Sequence, residues 1–89
     1  MVDDARWTIE FERRAERDLA RLDAQIARRV IAALDRLLER DPSVDVRRLQ
    51  GSDEWRLRVG DWRVRLRLDF AKRAVVIVRI LPRGRAYER

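Results

Sequence analysis

Residues 55–68 read Trp-Arg-Leu-Arg-Val-Gly-Asp-Trp-Arg-Val-Arg-Leu-Arg-Leu, and they restrict the fold more than any other stretch of the chain. Apolar and basic residues alternate on both sides of a Gly-Asp pair. Period-two alternation is the pattern of a half-buried strand, and two such runs split by Gly-Asp predict a hairpin with a two-residue turn. Trp55, Leu57, Val59, Trp62, Val64, Leu66 and Leu68 then share one face, with Arg56, Arg58, Arg63, Arg65 and Arg67 on the other. With Gly60-Asp61 as the loop, Val59 faces Trp62, Arg58 faces Arg63 and Arg56 faces Arg65. Like charges directly opposite on a ladder cost ~0.2–1 kcal/mol per pair. A face that keeps five arginines therefore reads as built for a polyanion, and its acids, Glu54 and Asp69, stand only at its ends. The plainer alternative is a solvated outer face in an arginine-biased chain, where Lys72 is the single lysine among 22 basic residues.

The totals narrow the chemistry. Eighty-nine residues make one domain, 1–89, with a modest core in which each large apolar residue counts. The absence of cysteine removes disulfides, thiolate catalysis and Cys-ligated metals. The absence of histidine removes a His general base and a His-ligated zinc. The longest apolar run, residues 74–78, is too short to span a bilayer, and the acidic start Met1-Val2-Asp3-Asp4 lacks the marks of a signal peptide. A cytoplasmic protein is expected. Residues 1–45 hold 9 basic and 11 acidic side chains, while residues 46–89 hold 13 basic and 5 acidic. The positive field belongs to the second half, as binding to nucleic acid or to an acidic protein requires.

Along the chain, Trp7-Thr8-Ile9-Glu10-Phe11 alternates and predicts a first strand. From Glu12 the period changes, and Ala15, Leu19 and Leu22 form a helical stripe. Arg13 with Glu16, Asp18 with Arg21, and Arg14 with Asp18 are spaced for pairing along this helix, and Glu12 favours its positive end. Asp23 is the expected N-cap of a second helix carrying Ile26, Val30, Ala33, Leu34, Leu37 and Leu38, which Asp41-Pro42 should end. The short link between the helices predicts an antiparallel helical hairpin. Residues 43–54 read as a loop, anchored to the core by Leu49 and turned at Gly51. Residues 74–81 are almost unbroken apolar sequence, the pattern of a central strand covered on both faces. The order is β-α-α-β-β-β: an α+β domain with helices on one sheet face, a three-stranded antiparallel meander at its end, and the arginines on the other face.

Leu49-Gln50-Gly51, the run from Trp55 through Gly60-Asp61-Trp62-Arg63-Val64, and Arg83 with Tyr87 four residues on together resemble the RelE toxins of bacterial type II toxin–antitoxin systems. The resemblance runs from about Trp7 to Tyr87. It implies a RelE-like fold and a ribosome-dependent endoribonuclease that cuts messenger RNA in the A site. It also implies a cognate antitoxin that wraps the toxin in a hetero-oligomer. Carried over by position, Arg56, Arg58, Arg63, Arg83 and Tyr87 form the catalytic set, with no metal and no cofactor. Arg65, Arg67 and Arg85 are RNA-contact candidates from charge alone. Family members often carry Lys at one or both positions matching Arg56 and Arg58. Many also have Gly followed by His or Lys where Leu81-Pro82 stand here.

Cleavage of RNA by its own 2′-hydroxyl needs a base, a stabilised phosphorane and a protonated leaving 5′-oxygen. Converging guanidiniums serve the second need through bidentate, charge-assisted hydrogen bonds. With a pKa above about 12, arginine is a poor acid or base at neutral pH. Tyr87, the single tyrosine, is the phenol available as base, because a field of arginines favours phenolate. Arg83 would stabilise the transition state and donate to the leaving oxygen. The plain alternative for Tyr87 is packing of the tail onto the sheet. Two other readings of the whole remain: a ParE-type toxin that inhibits DNA gyrase through protein contacts on the same fold, and a non-catalytic RNA-binding module.

Overall fold

A computed structural model describes residues 6–84. In chain order the elements are β1 (Thr8–Phe11), α1 (Arg13–Ala20), α2 (Ala24–Leu38), β2 (Asp45–Arg48), β3 (Glu54–Val59), β4 (Trp62–Asp69) and β5 (Ala74–Pro82). The strands form one sheet in the order β1-β5-β4-β3-β2. Neighbours from β2 to β5 are antiparallel, and β1 lies parallel to β5, so the sheet is mixed.

The β3–β4 hairpin forms in the expected register, with Val59 opposite Trp62, Arg58 opposite Arg63 and Arg56 opposite Arg65. Gly60 opens the turn at φ +57, a conformation open to glycine at little cost. Leu57, Val64 and Leu66 are buried on the helix-facing side. They join Val75, Ile77 and Ile80 of β5 and Ala15, Val30, Ala33 and Leu34 of the helices in one core cluster. The unbroken apolar run is explained by its place, since β5 lies between β1 and β4. A register shift at Arg65/Leu66 lets β5 carry one extra residue, Val78, so that Arg79 stands opposite Arg65 and Ile77 opposite Leu66.

Three expectations need correction. The stretch read as loop contains β2, an edge strand that extends the meander to four strands, with Asp45 opposite Arg58 and Arg47 opposite Arg56. Its single apolar residue, Val46, gave no alternation to read. Leu49 is not in the core cluster. It belongs to the β2–β3 connection, where its N–H donates to the Glu54 carbonyl at 2.8 Å and Gly51 takes φ +75. The second helix ends at Leu38, short of Asp41-Pro42. Arg40 adopts φ +58 there, and the N–H groups of Arg40 and Asp41 donate to the Leu37 and Arg36 carbonyls, each at 3.0 Å. That pair of bonds is a Schellman stop built on arginine instead of glycine. At the other end, Asp23 holds the N-cap position, but its side chain makes no capping hydrogen bond.

Candidate polyanion face

Strand pairing decides which side chains share the open face of the sheet. Arg47 lies opposite Arg56, Arg56 opposite Arg65, and Arg65 opposite Arg79. Residues directly opposite point to the same side, so four strands contribute a continuous row of four arginines at about 4.8 Å spacing. The next row toward the β3–β4 turn runs Asp45, Arg58, Arg63, Leu81, and the row on the other side runs Glu54, Arg67, Val76, Glu10. Arg47 and Arg79 were missed from the sequence. Arg47 sat in a stretch read as loop, and the extra residue in β5 shifts Arg79 into line.

A row of like charges this dense needs compensation, and it comes from carboxylates scattered along the chain. Glu54 Oε1 accepts from Arg65 Nη2 at 2.6 Å and from Nε at 2.8 Å. Glu12 Oε2 accepts from Arg67 Nη1 at 2.9 Å. Asp18 binds Arg79 with both oxygens, Nε to Oδ2 at 2.8 Å and Nη2 to Oδ1 at 3.2 Å, and it also takes the Ile80 N–H at 2.9 Å. Asp45 reaches Arg47 at 3.8 Å and Arg58 at 4.0 Å. Asp18 therefore turns to Arg79 rather than to Arg14 or Arg21, as helical spacing had suggested. Burial works against its charge, but the hydrogen bonds from Arg79 and Ile80 and the fields of Arg79 and Arg14 hold its pKa below the ordinary aspartate value. The hydrogen bonds to Asp18, against some desolvation and aided by the Asp18 charge, raise that of Arg79.

The expected site residues divide accordingly. Arg65 and Arg67 are committed to Glu54 and Glu12. Arg63 is 6% exposed, and its Nη1 donates to the carbonyls of Gly60 at 3.0 Å and Trp62 at 3.1 Å, so it braces the turn. Arg56 is half-buried in the middle of β3, and Arg58 is exposed beside it toward the turn. Arg83 is exposed, and its N–H donates to the Asp61 carbonyl at 2.7 Å. That bond, with Trp62 opposite Pro82, brings Arg83 to the same end of the sheet as Arg58 and Arg63. Arg85 and Tyr87 lie outside the described residues.

The model of the family described as the ParE toxin of type II toxin–antitoxin systems (parDE) matches residues 9–87. Among solved structures, the archaeal RelE–RelB complex from Pyrococcus horikoshii OT3 contains a chain 28% identical, with a TM-score of 0.73, covering 91% of this chain and 99% of that one. The toxin–antitoxin complex RelBE2 from Mycobacterium tuberculosis is similar at 29% identity and a TM-score of 0.69, covering 86% of this chain and 98% of that one. The isolated Escherichia coli RelE toxin has a TM-score of 0.75 at 18% identity, covering 91% and 88%, a likeness of fold alone. No curated protein matches the chain by sequence. The family match spans residues 9–87, nearly the whole chain, and the chain belongs to the ParE toxin family of type II toxin–antitoxin systems, within the RelE/ParE superfamily.

Proposed function

We propose that this toxin is a ribosome-dependent messenger RNA endoribonuclease that stops translation in the cytoplasm. The observation that carries this reading is the gathering of Arg58, Arg63 and Arg83 at the β3–β4 turn, with Arg83 held there by its N–H bond to Asp61. Arg58 and Arg83 are exposed enough to bind the scissile phosphate, and Arg56 extends the cluster inward. Arg63 braces the turn that sets Arg83. In this scheme the guanidiniums stabilise the dianionic phosphorane, Tyr87 removes the 2′-hydroxyl proton, and Arg83 donates to the leaving 5′-oxygen. Arg85 contacts RNA beside them. No metal or cofactor takes part. Orientation of the message by the ribosome supplies much of the rate.

A second reading, inhibition of DNA gyrase through protein contacts, is favoured by two observations. The matching family model is that of the ParE toxin, and Arg65, Arg67 and Arg79 are committed to carboxylates. Primer-extension mapping of a defined message in a reconstituted translation reaction separates the two. New ends within A-site codons, dependent on ribosomes and lost in Arg83→Ala, support the nuclease. Intact message together with blocked supercoiling by gyrase supports the other.

In either case a cognate antitoxin is the expected partner. A hollow of about 260 Å³ between Trp7, Leu37, Leu38, Leu68 and Val75 is flanked by Phe70, which is 72% exposed, and by Arg40. Such a surface suits an apolar antitoxin side chain with an acidic neighbour.

A further inference from the structure

A further group of cations lies beside the arginine row, between α2 and the β3–β4 turn. Arg29 and Arg36 stand two helical turns apart on α2, about 10.5 Å along its axis, and are therefore on one side of the helix. Between them Ala32 and Ala33 have side chains too short to fill the space. The β3–β4 turn closes the other wall with Arg58, Val59 and Gly60, leaving a hollow of about 280 Å³. Its lining holds three arginines and no carboxylate. Among the described residues, Arg29 and Arg36 form no ion pair and no side-chain hydrogen bond, and Arg36 acts on Asp41 through its field alone.

The approach of the turn to the helix is close. A Cβ placed on Gly60 would lie 2.9 Å from Arg29 Nη2. Glycine at this position permits φ +57, and the end of the flexible Arg29 side chain lies against it. Arg58 belongs both to this hollow and to the row leading to Arg63. The hollow is therefore continuous with the cluster at the turn.

We infer that the hollow between α2 and the β3–β4 turn is an anion site that holds one backbone phosphate of RNA outside the bond that is cut. Three guanidiniums lining a hollow with small apolar walls suit an oxyanion, which guanidiniums bind bidentately, and Arg58 keeps only a 4.0 Å contact to the exposed Asp45 carboxylate. Continuity with Arg58 favours RNA over an unrelated acidic partner, because one strand can pass from the hollow to the turn. The inference rests on the reading of this toxin as acting on RNA.

The test is the anisotropy of a short labelled single-stranded RNA titrated with whole toxin at several salt concentrations, without ribosomes. Arg29→Gln with Arg36→Gln should weaken binding about tenfold and make the slope of log K against log salt shallower by about 0.7, the value for one single-strand phosphate. Ala32→Glu, on the exposed side of α2, should do the same by placing a carboxylate in the hollow. An unchanged slope in both variants, or no binding of RNA by wild type, overturns the inference. So does loss of a glutamate-rich peptide from these variants with RNA binding intact, which would assign the hollow to a protein partner. A slope change without message cleavage in the translation reaction keeps the phosphate site and removes the nuclease reading.

Discussion

Asp18 of α1 holds Arg79 of β5 with both carboxylate oxygens and caps the Ile80 N–H with one of them. β1 covers the edge of β5 only from Ala74 to Ile77, so Asp18 continues the cover where β1 stops. The pair is mostly out of water, with side-chain exposures of 12% and 22%. Removing one partner leaves the other charge poorly solvated, which in buried pairs costs about 3–5 kcal/mol. At this partial exposure, Asp18→Asn should cost about 2–3 kcal/mol in chemical denaturation, and Asp18→Asn with Arg79→Met should recover part of it.

The same pair sets an acid limit. Folding lowers the pKa of Asp18, so its contribution is complete above the ordinary aspartate value and fades as pH falls through the lowered one. Wild type should lose stability below about pH 4 more steeply than Asp18→Asn, which has no proton to take up there. Urea midpoints between neutral pH and pH 2 would show the difference, and parallel acid limbs would refute it.

Arg63 and Arg83 should separate cleanly. Arg63 is buried and bonded to two carbonyls of its own turn, and hydrogen bonds from charged donors contribute about 1.5–3 kcal/mol each. Arg63→Ala should lower stability by about 2–3 kcal/mol and reduce activity through the loosened turn. Arg83→Ala should leave the thermal midpoint unchanged while message cleavage falls about 10²–10³-fold, the cost of losing one transition-state donor. Melting curves and cleavage rates measured on the same preparations decide this. Equal stability of the two variants would contradict the bracing role.

Glu54→Gln should free Arg65, whose guanidinium the carboxylate now holds at 2.6 Å. The expected result is tighter binding of single-stranded RNA with a steeper salt dependence, by about 0.7 in slope, and a stability loss of about 1 kcal/mol. A variant that binds RNA no better would mean that Glu54 does not hold back the positive face.

Arg40→Gly should stabilise the protein. A side chain at φ +58 costs about 1–2 kcal/mol relative to glycine, part of which the freer unfolded chain takes back. A gain of about 0.5–1 kcal/mol, or roughly 2–8 °C in thermal midpoint, is expected.

Much of this fold could be read locally. The hairpin register follows from alternation around Gly60-Asp61, and the central place of β5 follows from its unbroken apolar run. β2 was hidden because an edge strand of Asp-Val-Arg-Arg has a single apolar residue, only half-buried, and alternates nothing. The arginine side chains were legible, but their state was not. Glu12 and Asp18 lie near the start of the chain, and only the β1–β5 pairing carries them to Arg67 and Arg79. Within the hairpin itself, Glu54 and Asp69 stand only at the ends of the arginine face, so its other carboxylate partners do not show locally. The hollow beside α2 was equally invisible, since nothing in sequence links Arg29 and Arg36 to Arg58.

The pairing of β1 with β5 also has a consequence for the order of synthesis. Thr8 emerges early from the ribosome, and its partner Ala74 emerges late. Until β5 is out, β1 has no neighbour, Asp18 has no arginine to hold, and the centre of the sheet is missing. Contacts this distant in sequence make closure a late step in folding. A nascent chain stopped before Ala74 lacks the strand on which β1, β4 and α1 all converge, so the ribosome that builds this toxin meets it folded only after β5 has been released.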